Sequence, residues 1–243
     1  MSLSKPAPKV TIVIPIYNEE GILRSSVVDL VDRLAHLGFS YELVLAENGS
    51  RDGTVGICEE LHERFPQVHH FSVGQPGQGN YGKALRQGIL DARGEYVFCD
   101  EIDLCDTDFY TRALELLERG DADMVIGSKL ADGASDERPF VRHLGSLVIN
   151  GMLRVALDFH GTDTHGLKAF RRTAVAPIAE RCIVDKDLFA SELVIRAERE
   201  GVSIREIPVR VKEKREPSTH LFRRVPNVLK NLAKLVVAIR IKG

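Results

Sequence analysis

Several things are missing from this chain, and each absence narrows what it can be. No apolar run approaches the ~20 residues that a membrane-spanning helix needs, so the sequence predicts a soluble or at most peripheral protein. Residues 1–9 are too polar to form the apolar core of a signal peptide. The 4 cysteines, Cys58, Cys99, Cys105 and Cys182, form no CxxC pair and no zinc-type spacing. That scatter points to reduced, buried thiols and a cytoplasmic setting. Neither sign of charge dominates: 33 Lys and Arg face 35 Asp and Glu, a net charge of -2, which argues against general nucleic-acid binding. Tryptophan, internal repeats and low-complexity tracts are also absent, so 243 residues are expected to form one large domain.

What is present suits a globular protein. Hydrophobic residues make up 44% and charged residues 28%, enough to bury a full core. The near-neutral total hides an asymmetry. Between Arg205 and Gly243 there are 11 Lys and Arg against 3 Asp and Glu, a surplus of 8, which leaves the remainder at -10. A basic tail on an acidic body fits an anionic partner near the C-terminus, although a solvated surface reads the same way.

The first half alternates strand-like and helix-like patterns. Val10–Ile16 is a short β-branched run, followed by apolar residues at three- and four-residue steps from Ile22 to Leu34. Further strands are expected at Glu42–Ala46, Val68–Val73, Glu95–Cys99 and Met124–Gly127, with helices ending at Leu61, over Lys83–Asp91 and over Phe109–Leu117. This β-α-β-α rhythm predicts an α/β fold with a mainly parallel sheet and helices on both faces. Ligands in such sheets bind beyond the carboxyl ends of the strands. After Gly127 the rhythm changes. Asp132–Pro139 reads as a polar loop, Val141–Leu157 as a helix, Leu167–Phe170 as a short strand and Leu188–Glu200 as a helix. Ile204–Val211 reads as a strand, and Pro208 places it at an edge.

Four polar clusters fall just after expected strands: Pro15–Glu20, Glu47–Thr54, Gly77–Lys83 and Asp100–Asp103. Taken singly, each suits a tight turn with helix caps. All four together, at one end of a sheet, describe a binding edge. The last cluster is the most informative, because neighbouring carboxylates repel and need a cation or a basic partner. Mg²⁺ or Mn²⁺ bridging a diphosphate supplies one; the bland reading is a helix start capped by Asp106 or Asp108 with the other acids in water.

Here the sequence resembles family 2 glycosyltransferases, which have the GT-A, Rossmann-like fold. VIPIYNEE looks like the family's opening signature, and ENGSRDGT is similar to its DDGSxDGT. GEYVFCDEIDL aligns with GxYVxxxDADL, so Glu101 and Asp103 take the two acidic positions of the DXD motif, with Asp100 an extra neighbour. Arg142, Ser146 and Asn150 repeat the R-x3-S-x3-N pattern of dolichyl- and polyprenyl-phosphate sugar transferases, at a spacing that shares one helix face. Asp163–Arg171 resembles that subfamily's D-x3-GF[KR]xF block, one residue short, and Phe189–Glu192, Glu206–Val209 and Arg215–Ser218 look like later blocks. The match spans residues 10 to 218, as a nucleotide-binding half (8–128) and an acceptor half (129–220) of one domain.

The resemblance implies inverting transfer of a hexose from a nucleotide-diphosphate sugar, of GDP-mannose or UDP-glucose type. Pro15, Tyr17, Glu19, Glu47, Asn48 and Lys83 would hold the nucleotide, and Glu101 and Asp103 the metal. For a lipid-phosphate acceptor, Arg142, Ser146, Asn150, Lys168, Arg171 and Arg215 would hold the phosphate, and no strong base is needed. For a hydroxyl acceptor a base is required, and Asp163 is the candidate, with His165 second. Asp103, Asp163 and Arg142 are thus the expected catalytic residues. Two rival readings carry less: nucleotidyl transfer usually opens with a glycine-rich basic loop, absent before Gly21, and a non-catalytic nucleotide-sugar-binding module, which the Glu101 and Asn48 replacements permit, is disfavoured because Glu101 can still ligate a metal. Residues 221–243 read as an amphipathic helix, with Leu221, Val225, Leu232 and Ile239 opposite Arg223, Lys230 and Lys234. It is expected to pack on the domain or a second subunit. The alternative is that it lies on anionic lipid, which the lack of tryptophan disfavours.

Overall fold

A computed structural model describes residues 6–136, 140–186, 188–211 and 221–240. In chain order the first half runs β1 (Val10–Ile16), α1 (Leu23–Ala35), β2 (Tyr41–Glu47), α2 (Thr54–Arg64), β3 (Val68–Ser72), α3 (Tyr81–Asp91), β4 (Tyr96–Cys99), α4 (Thr107–Arg119) and β5 (Met124–Ser128). The second half adds β6 (Ser135–Asp136), α5 (Phe140–Leu157), β7 (Leu167–Arg171), α6 (Arg172–Arg181), α7 (Phe189–Arg199), β8 (Ile204–Pro208), β9 (Arg210–Val211) and α8 (Leu221–Arg240).

Seven strands form one sheet in the order β3-β2-β1-β4-β7-β5-β8. The pairs among β1 to β4 and between β5 and β8 are parallel, whereas β7 runs antiparallel between β4 and β5. The expected mainly parallel α/β architecture is therefore what forms. The second half does not build a separate layer: β7 and β8 complete the sheet that the first half begins. β8 is the edge strand, where its Pro208 needs no partner on the open side. Pro15 is tolerated in central β1 for a related reason, since β4 pairs only as far as Val13 and leaves no ladder bond for the missing N–H.

Strand alternation sends side chains to two cores. Ile12, Ile14, Ile16, Leu43 and Leu45 meet α1, α2 and α4 on one face. Val13, Val44, Ala46, Val97 and Cys99 meet α3, α5, α6, α7 and the described part of α8 on the other. Leu235, Ala238 and Ile239 of α8 are buried there, so the apolar face considered for lipid is covered by protein over that stretch. Three features depart from expectation. The strand expected over Ile204–Val211 divides into β8 and β9, which lie in different sheets. The polar loop over 132–139 contains β6, which pairs with β9, and residues 172–181 form α6 although Pro177 lies inside it. Among the described residues no helix is long and apolar enough to cross a membrane.

Candidate active site

The loops after β1 and β2 are stitched together by their own polar groups. Asn18 N donates to Ser50 Oγ (2.9 Å), Glu19 N to Thr54 Oγ1 (2.8 Å), Arg51 N to Asn18 Oδ1 (2.9 Å) and Gly53 N to Glu20 Oε2 (2.7 Å). Buried Glu47 accepts from Ser50 N. Asn48 reaches further: its Nδ2 donates to Ile16 O at 2.9 Å and its Oδ1 accepts Asn80 N at 2.9 Å. An aspartate has no N–H to give Ile16 O, which accounts for an amide at this position. Asn80 in turn caps α3 by accepting Lys83 N. Pro15, Tyr17, Glu19, Glu47, Asn48 and Lys83 are thus drawn to one end of the sheet, with Tyr17 (37% exposed) and the Lys83 side chain facing outward.

The acids after β4 divide into separate roles. Asp100 is buried and accepts from Glu101 N, Asp106 N and the Tyr110 hydroxyl. Burial, opposed by those three bonds, pushes its carboxyl up to about 7. It shapes the loop rather than facing solvent. Asp106 caps α4, accepting from Asp108 N and Phe109 N, so part of the bland reading holds for that residue. Glu101 and Asp103 line a pocket that Asp100 also borders, together with Tyr81, Lys129, His165 and Lys168. Burial, and after it the charge of Glu101, holds the Tyr81 phenol well above its ordinary pKa.

The opposite wall comes from β5 and β7. Lys168 is 2% exposed, and its ammonium donates to Gly166 O at 2.7 Å. Burial lowers its pKa, partly offset by Cys99 and Asp163. Gly166 is required by close approach, because a Cβ there would stand 2.0 Å from Gly127 O. Lys129, which sequence reasoning passed over, follows β5 at the carboxyl end and bonds Asp163 Oδ2 at 2.6 Å. Its position just after a strand was the available signal.

Several expected site residues are placed elsewhere. Asp163 is 1% exposed and tied to Lys129; burial alone would raise its pKa, but the charge and hydrogen bond of Lys129, with the bond from His165 N, together lower it. A carboxylate so held is a weak base. Arg171 pairs with Tyr96 at the amino end of β4, three residues and about 10 Å from Lys168. There it bonds Glu95, Leu117 O and the face of Tyr96, so it cannot reach a ligand in the pocket. The sequence reading missed this because β7 runs antiparallel. Asn150 is buried on α5, accepting from Thr164 Oγ1 at 3.4 Å. It supports the pocket loop from behind and does not open onto the pocket. Arg215 lies outside the described residues, as do the side chains of Arg142 and Ser146.

Among the described residues no group of three or more His, Cys, Asp or Glu could hold a metal alone. A Mg²⁺ or Mn²⁺ shared with a diphosphate needs only one or two carboxylates, with phosphate and water completing the shell. Glu101 and Asp103 meet that requirement, both being oxygen donors on the pocket wall, while Asp100 is engaged by the loop.

The family model described as Glycosyl transferase family 2 matches residues 11–177, more than half of the chain. The chain belongs to glycosyl transferase family 2. Among relatives in the family, Glycosyltransferase AglD of Haloferax volcanii is 27% identical over 220 residues, covering 88% of this chain and 35% of that protein. Dolichyl-phosphate beta-glucosyltransferase ALG5D of Trichomonas vaginalis is 28% identical over 219 residues, covering 84% of this chain and 66% of that protein. The chain therefore spans between a third and two thirds of these relatives' lengths. Among solved structures, glucosyl-3-phosphoglycerate synthase from Mycobacterium tuberculosis with phosphoglyceric acid is similar at a TM-score of 0.67 and 17% identity, over 96% of this chain and 81% of that one. Mannosyltransferase PcManGT from Pyrobaculum calidifontis with GDP-Man and Mn²⁺ gives a TM-score of 0.59 and 20% identity, over 96% and 65%. These likenesses establish the GT-A fold of glycosyl transferase family 2 for this chain.

Proposed function

We propose that this chain transfers a hexose, with inversion, from a nucleotide-diphosphate sugar to a polyprenyl or dolichyl phosphate. One observation carries the proposal: a single pocket sets the carboxylates of Glu101 and Asp103 against the buried ammonium of Lys168. The stitched loops after β1 and β2 and the first turn of α3 would hold the nucleotide through Pro15, Tyr17, Glu19, Glu47, Asn48 and Lys83. Glu101 and Asp103 would hold Mg²⁺ or Mn²⁺, which neutralises the charge growing on the departing diphosphate. Lys168 would face the acceptor phosphate, a place where a buried cation counts most. Arg142, Ser146 and Arg215 are kept as acceptor contacts on their resemblance to the subfamily pattern.

A phosphate oxygen is already anionic near neutral pH and attacks without a strong base. That agrees with Asp163 being committed to Lys129. The relatives named as dolichyl-phosphate glucosyltransferases support the same acceptor class. A second reading, transfer to a soluble hydroxyl, is favoured only by His165 on the pocket wall, where an imidazole could take a proton. The buried cysteines, held as thiols rather than disulfides, support a cytoplasmic setting. Peripheral contact with the membrane that carries a lipid acceptor would run through Lys230, Lys234 and Arg240, exposed on α8.

The test is calorimetry with GDP, UDP and their sugar derivatives, with and without Mn²⁺, followed by turnover on a polyprenyl phosphate and on soluble sugars. Metal-dependent binding of one nucleotide and turnover on the lipid phosphate are expected. Binding of none by the folded chain would refute the donor site; turnover on sugars alone would select the second reading.

A further inference from the structure

We propose that Glu192 is a positioning residue for donor binding, acting through the segment 183–186 on the first turn of α3. The proposal rests on the reading that this turn, with Tyr81 and Lys83, meets the nucleotide sugar.

Glu192 sits in the first turn of α7, is 0% exposed and does not line the pocket. Its Oε2 accepts Ile183 N at 2.9 Å and Val184 N at 2.7 Å, and its Oε1 accepts Arg196 Nε at 2.9 Å. One carboxylate oxygen bridging two successive backbone N–H groups fixes that short segment in place, and bonds to a charged acceptor are the stronger kind. The next carbonyl along, Asp185 O, accepts Lys83 N at 3.0 Å. Contact at this joint is close enough to require glycine: a Cβ on Gly82 would stand 2.4 Å from Asp185 O and 2.6 Å from Phe189 Cβ. The path from Glu192 to the turn carrying Lys83 is therefore continuous, through two hydrogen bonds, one residue of chain and one further hydrogen bond.

The preceding residue marks the contrast. Ser191 Oγ lies 2.9 Å from Thr164 Oγ1, which lies 3.1 Å from His165 Nδ1 on the pocket loop. Two adjacent residues of α7 thus anchor different walls: Glu192 the turn assigned to the donor, Ser191 the loop on the opposite side. Loosening the first should affect the donor and spare the second substrate.

The experiment compares Glu192→Gln, Glu192→Ala, Gly82→Ala and Ser191→Ala in the full chain. Each is checked for folding by its melting temperature, titrated with UDP and GDP in Mn²⁺, and assayed on a short polyprenyl phosphate. Glu192→Ala is expected to raise the nucleotide Kd and the donor KM about tenfold or more, since small misplacements of binding groups are costly. The acceptor KM should stay within about twofold. Glu192→Gln, which retains one oxygen for the two N–H groups, should be intermediate. Gly82→Ala leaves Glu192 intact and should reproduce the donor-selective loss, while Ser191→Ala should leave the nucleotide Kd unchanged. Should Glu192→Ala fail to fold, Glu192→Gln and Gly82→Ala decide the matter. Folded variants with wild-type donor affinity, or with donor and acceptor KM raised equally, would overturn the proposal. A wild-type chain that binds neither nucleotide would instead refute the donor site, while failure of this inference alone would show as normal wild-type binding with insensitive variants.

Discussion

The ammonium of Lys129 lies 2.6 Å from the carboxylate of Asp163, with both side chains almost wholly out of water. Removing one member strands the other charge, so Asp163→Asn is expected to destabilise the fold by about 3 kcal/mol. Lys129→Met with Asp163→Leu should cost less than either single change. The Asp163 pKa is depressed in the folded state, so the stabilisation is present above the ordinary aspartate value and lost as pH falls through the folded one. Urea denaturation of Asp163→Asn, the two single variants and the double between pH 3 and 7 checks both statements, and an additive double variant would contradict them.

Asp100 behaves in the opposite sense. Its folded value of about 7 lies above the ~3.9 of an unfolded aspartate. Between those two values the folded chain holds a proton that the unfolded chain has released. The contribution of Asp100 is therefore greatest below the unfolded value and declines as pH rises toward 7. Denaturation midpoints at pH 5 and pH 8 should show a decline that Asp100→Asn flattens. Equal slopes in both proteins would count against this role.

Asp103 and Asp100 are close in sequence and should separate in function. Asp103→Ala is expected to abolish the Mn²⁺-dependent part of nucleotide binding while leaving the melting temperature within a few degrees. Calorimetry with and without Mn²⁺ reads the first, and thermal denaturation the second. Undiminished metal dependence would remove Asp103 from the metal site.

Lys168 and Arg171 form a second such pair. Lys168→Met should lower kcat/KM about tenfold or more, because it removes the pocket cation assigned to the acceptor. Arg171→Gln should leave kcat/KM within about twofold and lower stability instead, by about 1 kcal/mol, through its lost bonds to Glu95 and Leu117. Steady-state assays beside melting curves distinguish the two. Loss of activity from Arg171→Gln in a stable protein would reverse the assignment.

Sedimentation with vesicles tests the proposed peripheral contact. Binding to anionic vesicles at low salt is expected, with release at high salt and no binding to neutral ones, since exposed cations are screened. Lys230→Glu with Lys234→Glu should abolish it. Retention of that double variant on anionic vesicles would place the contact elsewhere.

Most elements were legible because their signals are local. A β-branched run marked β1, three- and four-residue apolar steps marked α1, and polar clusters after strands marked the loops that carry Glu47, Asn48, Glu101 and Asp103. α6 was not legible, because Pro177 interrupts the helical pattern while the tertiary packing of Val175, Ile178 and Ala179 still holds the helix. Asn48 could be aligned but not understood until Ile16 O and Asn80 N stood beside it.

The sequence by itself determined the α/β class, the parallel start of the sheet and the family, since periodicity and short motifs depend on neighbours along the chain. Only the tertiary structure decided which charged residues share the pocket. The antiparallel course of β7 brings Lys168 in and turns Arg171 away, and the meeting of β5 with the 162–166 loop joins Lys129 to Asp163. Those outcomes depend on strand direction and on pairings between distant segments, which local pattern does not encode.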